Sequence, residues 1–232
     1  MKKHGKKYKA VKEKVSVKEP LSIDSGIAKV KELAYASFDE SVDVNVNLGI
    51  DPAKGEHAVR GSIILPHRIG KDVKILVFAK GEYADQALKA GADYIGTNDF
   101  VEKIEGGWLD FDYAIATPDL MGLVGKLAKI LGPRGLLPNK KLGTVTFDIE
   151  AVVADLKKGR SFFKNDKSGL VHFLVGKLSL TPSQIKDNLV FFIHALNAAR
   201  PAKAKGKFIK KVTISSTMGV GIPVDVDELI KV

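Results

Sequence analysis

Between Lys74 and Leu131 short apolar runs alternate with stretches of helical periodicity, a rhythm that leaves few architectures open. Lys74-Ile-Leu-Val-Phe-Ala79 reads as a strand apolar on both faces, and Tyr94-Ile95 and Tyr113-Ala-Ile-Ala116 as two more. Helical patterns separate and follow them over 82–90, near 98–104 and over 119–131, with a further short helix at 151–156. Strands joined through helices build βαβ units, so this section predicts a largely parallel sheet covered on both faces.

The two ends keep a different time. Val42, Val44, Val46 and Leu48 alternate with Asp43, Asn45 and Asn47, which predicts a strand with one buried and one wet face. Before it, Ser22 can cap a helix carrying Ile23, Ile27, Val30 and Ala34 and ending near Tyr35. After it, 49–55 reads as a loop and Val59 to Leu65 as a return strand ending at Pro66. Late in the chain come a strand from Leu170 to Leu178 and a capping box, Thr181-Pro-Ser-Gln184. The box opens a helix with Ile185, Leu189, Ile193 and Leu196 as its buried stripe, and a strand from Phe208 to Ser216 follows. The lysines between Lys2 and Lys18 suit a frayed basic tail.

Charge divides the chain at the same places. Residues 1–66 carry 12 basic and 9 acidic residues, 67–158 carry 13 of each, and 159–232 carry 12 and 5. The whole excess of +10 therefore lies in the ends, which predicts that 1–66 and 159–232 fold together around an inserted 67–158. Two connections would then cross between domains, and Pro66, Gly70, Lys158 and Gly159 mark them as hinge candidates.

Several chemistries are excluded or lack a foothold. With no cysteine there is no disulfide framework, thiol nucleophile or zinc ribbon, which fits a reducing, cytoplasmic setting. No apolar run approaches the roughly 18 residues of a membrane span. The section 67–158 has no G-x-G-x-x-G after its first strand, and Gly122-Leu-Val-Gly-Lys126 lacks the spacer and hydroxyl of a phosphate loop. His4, His57, His67, His172 and His194 show no metal-ligand spacing, and no G-x-S-x-G elbow occurs. The expectation is a non-enzyme with no cofactor and no metal.

Three stretches in the basic ends offer recognition chemistry instead. Phe38, between Ser37 and Asp39, either seals a helix–strand junction, the commoner fate of a lone Phe, or forms a platform for a base or ribose. In Arg160-Ser-Phe-Phe-Lys-Asn-Asp-Lys-Ser-Gly169 a tight turn between two strands presents Lys164 and Lys167 for phosphates and Asn165 and Ser168 for ribose hydroxyls, with His172 on the strand beyond. Ser215-Ser-Thr-Met-Gly-Val-Gly221 is a glycine-rich turn in which Thr217 offers a hydroxyl, Met218 an adaptable apolar contact and Gly219 close backbone approach. Lys203, Lys205, Lys207, Lys210 and Lys211 lie just upstream, and a chain of pI near 9.5 so clustered fits a nucleic-acid footprint.

One set of motifs goes further. Asn47-Leu-Gly-Ile-Asp-Pro52, Val59-Arg-Gly61, Leu65-Pro-His67, Leu131-Gly-Pro-Arg-Gly-Leu-Leu-Pro-Asn139, Gly143-Thr-Val145, Asn165-Asp-Lys-Ser-Gly169 and Ser216-Thr-Met-Gly219, in this order, closely resemble the ribosomal protein L-one family of the bacterial large subunit. The resemblance implies a discontinuous two-domain protein of mixed class: an α+β domain from both chain ends, and an inserted Rossmann-like α/β domain. It implies a place on the mobile stalk, binding of large-subunit rRNA, help in releasing deacylated tRNA from the exit site, and repression of its own operon through its mRNA. Other ribosomal components would be its remaining partners, with no membrane, and the free protein would be a monomer. RNA contacts carried over by motif are Phe38, Lys164, Asp166, Lys167, Ser168, His172, Ser215, Thr217, Met218 and Gly219. Ser37 stands where many relatives have Lys or Arg, which removes at most one phosphate contact, and Gly55-Glu-His-Ala58 departs from the commoner polar loop. The competing readings are a small-molecule α/β enzyme using 67–158 and a general basic RNA chaperone.

Overall fold

The computed structural model describes residues 5–15, 20–52, 57–70, 72–202, 204 and 206–231. Lys2, Lys3, His4, Lys18, Gly55, Glu56, Lys203 and Lys205, used above, lie outside them. In chain order the first elements are α1 (Lys6–Lys14), α2 (Ile23–Glu32), β1 (Ser41–Leu48), β2 (Arg60–Ile64), β3 (Ile75–Phe78), α3 (Glu82–Lys89) and β4 (Tyr94–Gly96). Then come α4 (Asn98–Glu105), β5 (Tyr113–Ala116), α5 (Met121–Val124), α6 (Ala128–Arg134), α7 (Ile149–Lys157), β6 (Arg160–Lys164) and β7 (Leu170–Lys177). The last are α8 (Pro182–Ala198), β8 (Ile209–Ser216), β9 (Ile222–Val224) and α9 (Val226–Lys231). These elements form two compact units, Met1–Ile69 with Phe162–Val232, and Gly70–Ser161.

The first unit is built on a four-stranded antiparallel sheet in the order β7-β1-β8-β9. Alternation along β1 sends Val42, Val44, Val46 and Leu48 into the core, where they share burial with Ile27 and Val30 of α2 and Ile185, Leu189 and Ile193 of α8. Phe173 stacks on Phe192 with ring centroids 4.2 Å apart, and Phe163 meets Phe192 edge-on. Both helix starts follow their sequence signals: Ser22 Oγ accepts from the Ser25 N–H, and Thr181 and Gln184 complete a reciprocal capping box. Asn188, buried in α8, accepts from the His67 N–H at 3.0 Å and donates to the carbonyls of His67 and Val175. That amide ties the chain after β2 to the core, because a buried Asn must spend its hydrogen bonds somewhere.

Three features depart from the sequence reading. The Val59–Leu65 strand does not return onto its predecessor; β2 pairs with β6 in a separate two-stranded sheet. Both edges of β1 are already taken, by β7 and β8. For the same reason the turn at 165–169 is not a plain hairpin: β6 goes to one sheet, β7 to the other, and only the Asn165–Val171 bridge joins them locally. Finally, Lys6–Lys14 is helical: the nine residues contain no Gly or Pro, and although none is buried, Tyr8 and Val11 are partly covered.

The second unit carries a three-stranded parallel sheet, β4-β3-β5, in which all four residues of β3 are buried. Val145 adds one parallel bridge to Ala116. Leu76, Phe78, Ile104, Ala116, Val124, Leu127 and Leu131 form one cluster of its core. The helix anticipated over 119–131 is broken into α5 and α6 by 3₁₀ turns at Pro118–Leu120 and Gly125–Leu127. Gly122 and Gly125 lower helix propensity where the break falls. α6 stops at Gly135, whose φ of 74° is the left-handed conformation that ends helices.

Candidate nucleic-acid interface

The row of β1 that does not enter the core is polar, and its neighbours in register extend that polarity across the sheet. Asp43 faces Ser215, and Asn45 lies between His172 on β7 and Thr213 on β8. His172 Nδ1 and Asn45 Oδ1 are 2.5 Å apart, a side-chain pair that fixes the imidazole on this face. Burial pushes the Asp43 carboxyl above its ordinary range, and the nearby His172 pulls it partly back.

The expected site residues gather at the two ends of this row. At one end, where β1 begins and β8 stops, are Phe38, Ser215, Thr217, Met218 and Gly219. At the other, where β7 begins, are Lys164, Asp166, Lys167, Ser168 and His172. The strand rise from Ser41 to Asn47 sets the groups roughly 20 Å apart. Each set is local, and the polar row connects them.

The first end is organised by a residue the sequence did not single out. Glu40, 1% exposed, accepts through Oε1 from the N–H groups of Tyr35 and Ala36, at 3.3 and 2.9 Å, and through Oε2 from that of Met218, at 3.1 Å. Burial alone would raise its carboxyl, but the Ser216 hydroxyl and these three amides outweigh it and hold the group below the usual carboxylate range. One charge thus binds two segments far apart in sequence, and Tyr35 strengthens the joint by donating its hydroxyl to the Met218 carbonyl at 2.7 Å. With its backbone so used, Met218 leaves its side chain 49% exposed.

Thr217 and Gly219 also make contacts within the fold. The exposed Thr217 hydroxyl accepts from the Ser41 N–H at 2.9 Å and lies 3.4 Å from the Ser41 carbonyl, so it also closes the sheet's end. A Cβ on Gly219 would come within 2.4 Å of Ser216 Oγ, so a side chain there would displace the hydroxyl that bonds Glu40. Phe38 is 55% exposed, which removes the junction-sealing role. Its loop is tied on both sides: Ala36 to Glu40, and Asp39 to the amide and hydroxyl of Ser179 at 3.1 and 2.9 Å.

The second end is a tight turn held by its own aspartate. Asp166 Oδ1 accepts from the N–H groups of Ser168 and Leu170 at 2.8 and 2.7 Å, and its other oxygen lies 3.8 Å from His172 Nε2. The Leu170 amide first, then that of Ser168 and the imidazole, hold this carboxyl below its ordinary range against a weaker opposing effect of burial. Asn165 is spent internally, accepting from Val59 and donating to the Asp166 carbonyl. Lys164, Lys167 and Ser168 are exposed. Lys164, at the end of β6, and Lys167, within the turn, thereby present two exposed cations.

Among the described residues no group of three potential ligands could hold a metal ion, and no helix is long and apolar enough to cross a membrane. A polar sheet face with exposed lysines at one end and an exposed aromatic and methionine at the other has the side chains by which proteins recognise RNA at a surface. The comparisons with known proteins make this specific. The profile of the Ribosomal protein L1p/L10e family matches residues 30–220, and the chain belongs to that family. It is 50% identical over 226 residues, 97% of its length and 99% of the relative's, to a Large ribosomal subunit protein uL1 of Thermus thermophilus. A second Thermus thermophilus protein of the same name is equally similar over the same span. The chain is therefore a ribosomal protein with a non-enzymatic role, and its expected mixed α/β class is that of the structure.

Proposed function

We propose that this protein, as a constituent of the large ribosomal subunit, binds the rRNA of the mobile stalk with the α+β unit made from both ends of the chain. Lys164 and Lys167 position the RNA by its phosphates, while Phe38, Met218, Ser168, Ser215 and His172 read ribose hydroxyls and local shape. The observation that carries this reading is the Glu40 joint, which spends a buried charge on presenting Met218 and the Phe38 loop at one end of the polar row. Such a rigid edge lowers the ordering cost of binding a structured RNA.

The inserted domain, expected over 67–158 and compact over Gly70–Ser161, then serves as the moving part. Gly70 and Gly159, with φ of 80° and 102°, stand at the two crossings and give them backbone freedom; Lys158 flanks the second, while Pro66, the other expected hinge position, precedes a residue whose backbone Asn188 holds to the first unit. In this reading the stalk domain assists departure of deacylated tRNA from the exit site, and an mRNA that mimics the rRNA site competes for the same surface to repress the protein's own operon.

The test is a titration against a stalk-region rRNA fragment and a scrambled-loop control at two salt concentrations, followed by competition with the operon leader RNA. A wide affinity gap that survives the higher salt, with full displacement by the leader, is the expected result. Equal binding to both RNAs, collapsing together in salt, would leave only a general polycation.

A further inference from the structure

Three oxygen acceptors surround the His172 ring. Nδ1 lies 2.5 Å from Asn45 Oδ1, and Nε2 lies 3.8 Å from a carboxylate oxygen of Asp166. A second carboxylate, Asp43, stands two residues along β1 from Asn45 on the same polar row, close enough for the imidazole to act on its charge. On β7 itself Leu170 and Leu174, the neighbours of His172 on this face, are uncharged. A neutral imidazole carries a single N–H, and the bond to Asn45 Oδ1 places that proton on Nδ1. Nε2 then turns a lone pair towards Asp166, which accounts for a separation longer than a hydrogen bond.

The charges at this end of the row balance. Lys164 and Lys167 supply two positive charges, and Asp43 and Asp166 two negative ones, with Lys211 further off on β8, opposite Asn47. With a neutral ring these four cancel, so an approaching phosphate backbone gains little from them. A proton added at Nε2 leaves this end positive and turns that nitrogen from an acceptor into a donor. Imidazole is the side chain that makes this change between about pH 5 and 8. In the free protein the side chains of His172 and Asp166 are 57% and 38% exposed, and water screens them from one another. RNA laid over the row adds phosphate charge beside the ring and, by excluding water, strengthens its attraction to the two carboxylates. Both effects favour the imidazolium over the neutral ring.

We propose, on the RNA-binding reading above, that binding of the stalk rRNA takes up a proton at His172, so that the first unit holds its RNA more tightly as pH falls through the neutral range. The ring donates to an RNA oxygen only in its charged form, and in that form it also offsets Asp43 and Asp166, which otherwise repel the ligand. The sign follows from linkage: a group that holds its proton more firmly in the complex adds affinity at low pH, and that gain is lost as pH rises through the value in the complex.

The test titrates the full chain with the stalk-region rRNA fragment and its scrambled-loop control from about pH 8 to about pH 5.5 at constant ionic strength. Affinity for the stalk fragment is expected to rise about tenfold, as it does when the bound ring holds its proton about tenfold more firmly than the free one, with a salt slope steeper by about 1 at the acid end. His172→Gln should lose the acid gain and show a flat profile, while its melting temperature holds because the ring is exposed. Asp43→Asn should bind more tightly at the alkaline end and keep the rise. Nitrogen NMR shifts of the imidazole in the unvaried protein should show Nδ1 carrying the proton of the neutral ring. A flat profile in the unvaried protein overturns the proposal, as does a full rise in His172→Gln or a neutral ring protonated on Nε2. Loss of the rise in Asp43→Asn also overturns it, by giving the proton to that carboxyl. Failure of the unvaried protein to prefer the stalk fragment to its control at every pH removes instead the underlying reading, and is seen before any variant is made.

Discussion

Both ends of the polar row are held by a carboxylate that accepts backbone amides, yet the two devices differ in reach. Asp166 takes its amides from Ser168 and Leu170, two and four residues away. Glu40 joins Tyr35 and Ala36 to Met218, 178 residues further along. The Asp166 turn keeps a side chain in contact with water, while Glu40 is buried. A local turn can form as soon as its few residues meet, but the Glu40 joint exists only when the sheet has assembled β1 beside β8. The second end is therefore a preformed motif, and the first is a product of tertiary structure.

The largest effect should come from breaking the tertiary device. Glu40→Ala leaves the amides of Ala36 and Met218 and the Ser216 hydroxyl without their acceptor in a buried site, and is expected to cost about 3 kcal/mol of unfolding free energy in a urea titration. RNA affinity should fall with it, because Phe38 and Met218 lose their common support. A variant of unchanged midpoint would show that water replaces the carboxylate and that the two ends do not differ as described.

Met218→Ala sharpens the comparison from the other side. The backbone of Met218 makes the structural bonds and its side chain is half exposed, so the substitution should weaken binding of the rRNA fragment by about 1–3 kcal/mol while the melting temperature holds. Thr217→Ala, in contrast, should lower both, since its hydroxyl serves Ser41. Parallel losses in Met218→Ala would mean that the side chain packs rather than binds.

The same difference decides what was legible in the sequence. Asn165-Asp-Lys-Ser-Gly169 announces a turn because each residue acts on its neighbours, and the capping box at Thr181 and Gln184 is legible for the same reason. The alternation in β1 also set its faces correctly. Glu40 gave no signal: a lone glutamate before a strand has the same pattern whether it is solvated or buried beneath a loop from the far end of the chain. The pairing of β2 with β6 was hidden likewise, since edge availability on β1 depends on which other strands have already taken it. The bond from the Ser41 amide to the Thr217 hydroxyl was not legible either, because a hydroxyl in a turn does not reveal its partner.

Smaller effects should appear at the local turn. Asp166→Ala removes the acceptor of two amides that water can partly replace, so about 1 kcal/mol of stability is expected to be lost. Lys164 and Lys167 would remain, but on a looser turn, and the RNA dissociation rate should rise without a change in salt slope. An unaltered dissociation rate would mean that the aspartate does not keep the lysines in place.

Acidification gives the finest separation of the two ends. Both carboxyls are held below their ordinary range, and a group whose folded value is depressed contributes stability that is present above its unfolded value and lost as pH falls through the folded one. Unfolding free energy should therefore be insensitive to these two groups near neutrality and decline only once the pH enters and passes below the usual carboxylate range. Glu40→Gln should remove part of that decline, because an amide cannot gain the proton that breaks the joint. Asp166→Asn should remove less, since its exposed site lets water compensate for the lost charge. If the two variants flattened the acid limb equally, burial would not be what distinguishes the ends, and the contrast would reduce to the number of amides each carboxylate accepts.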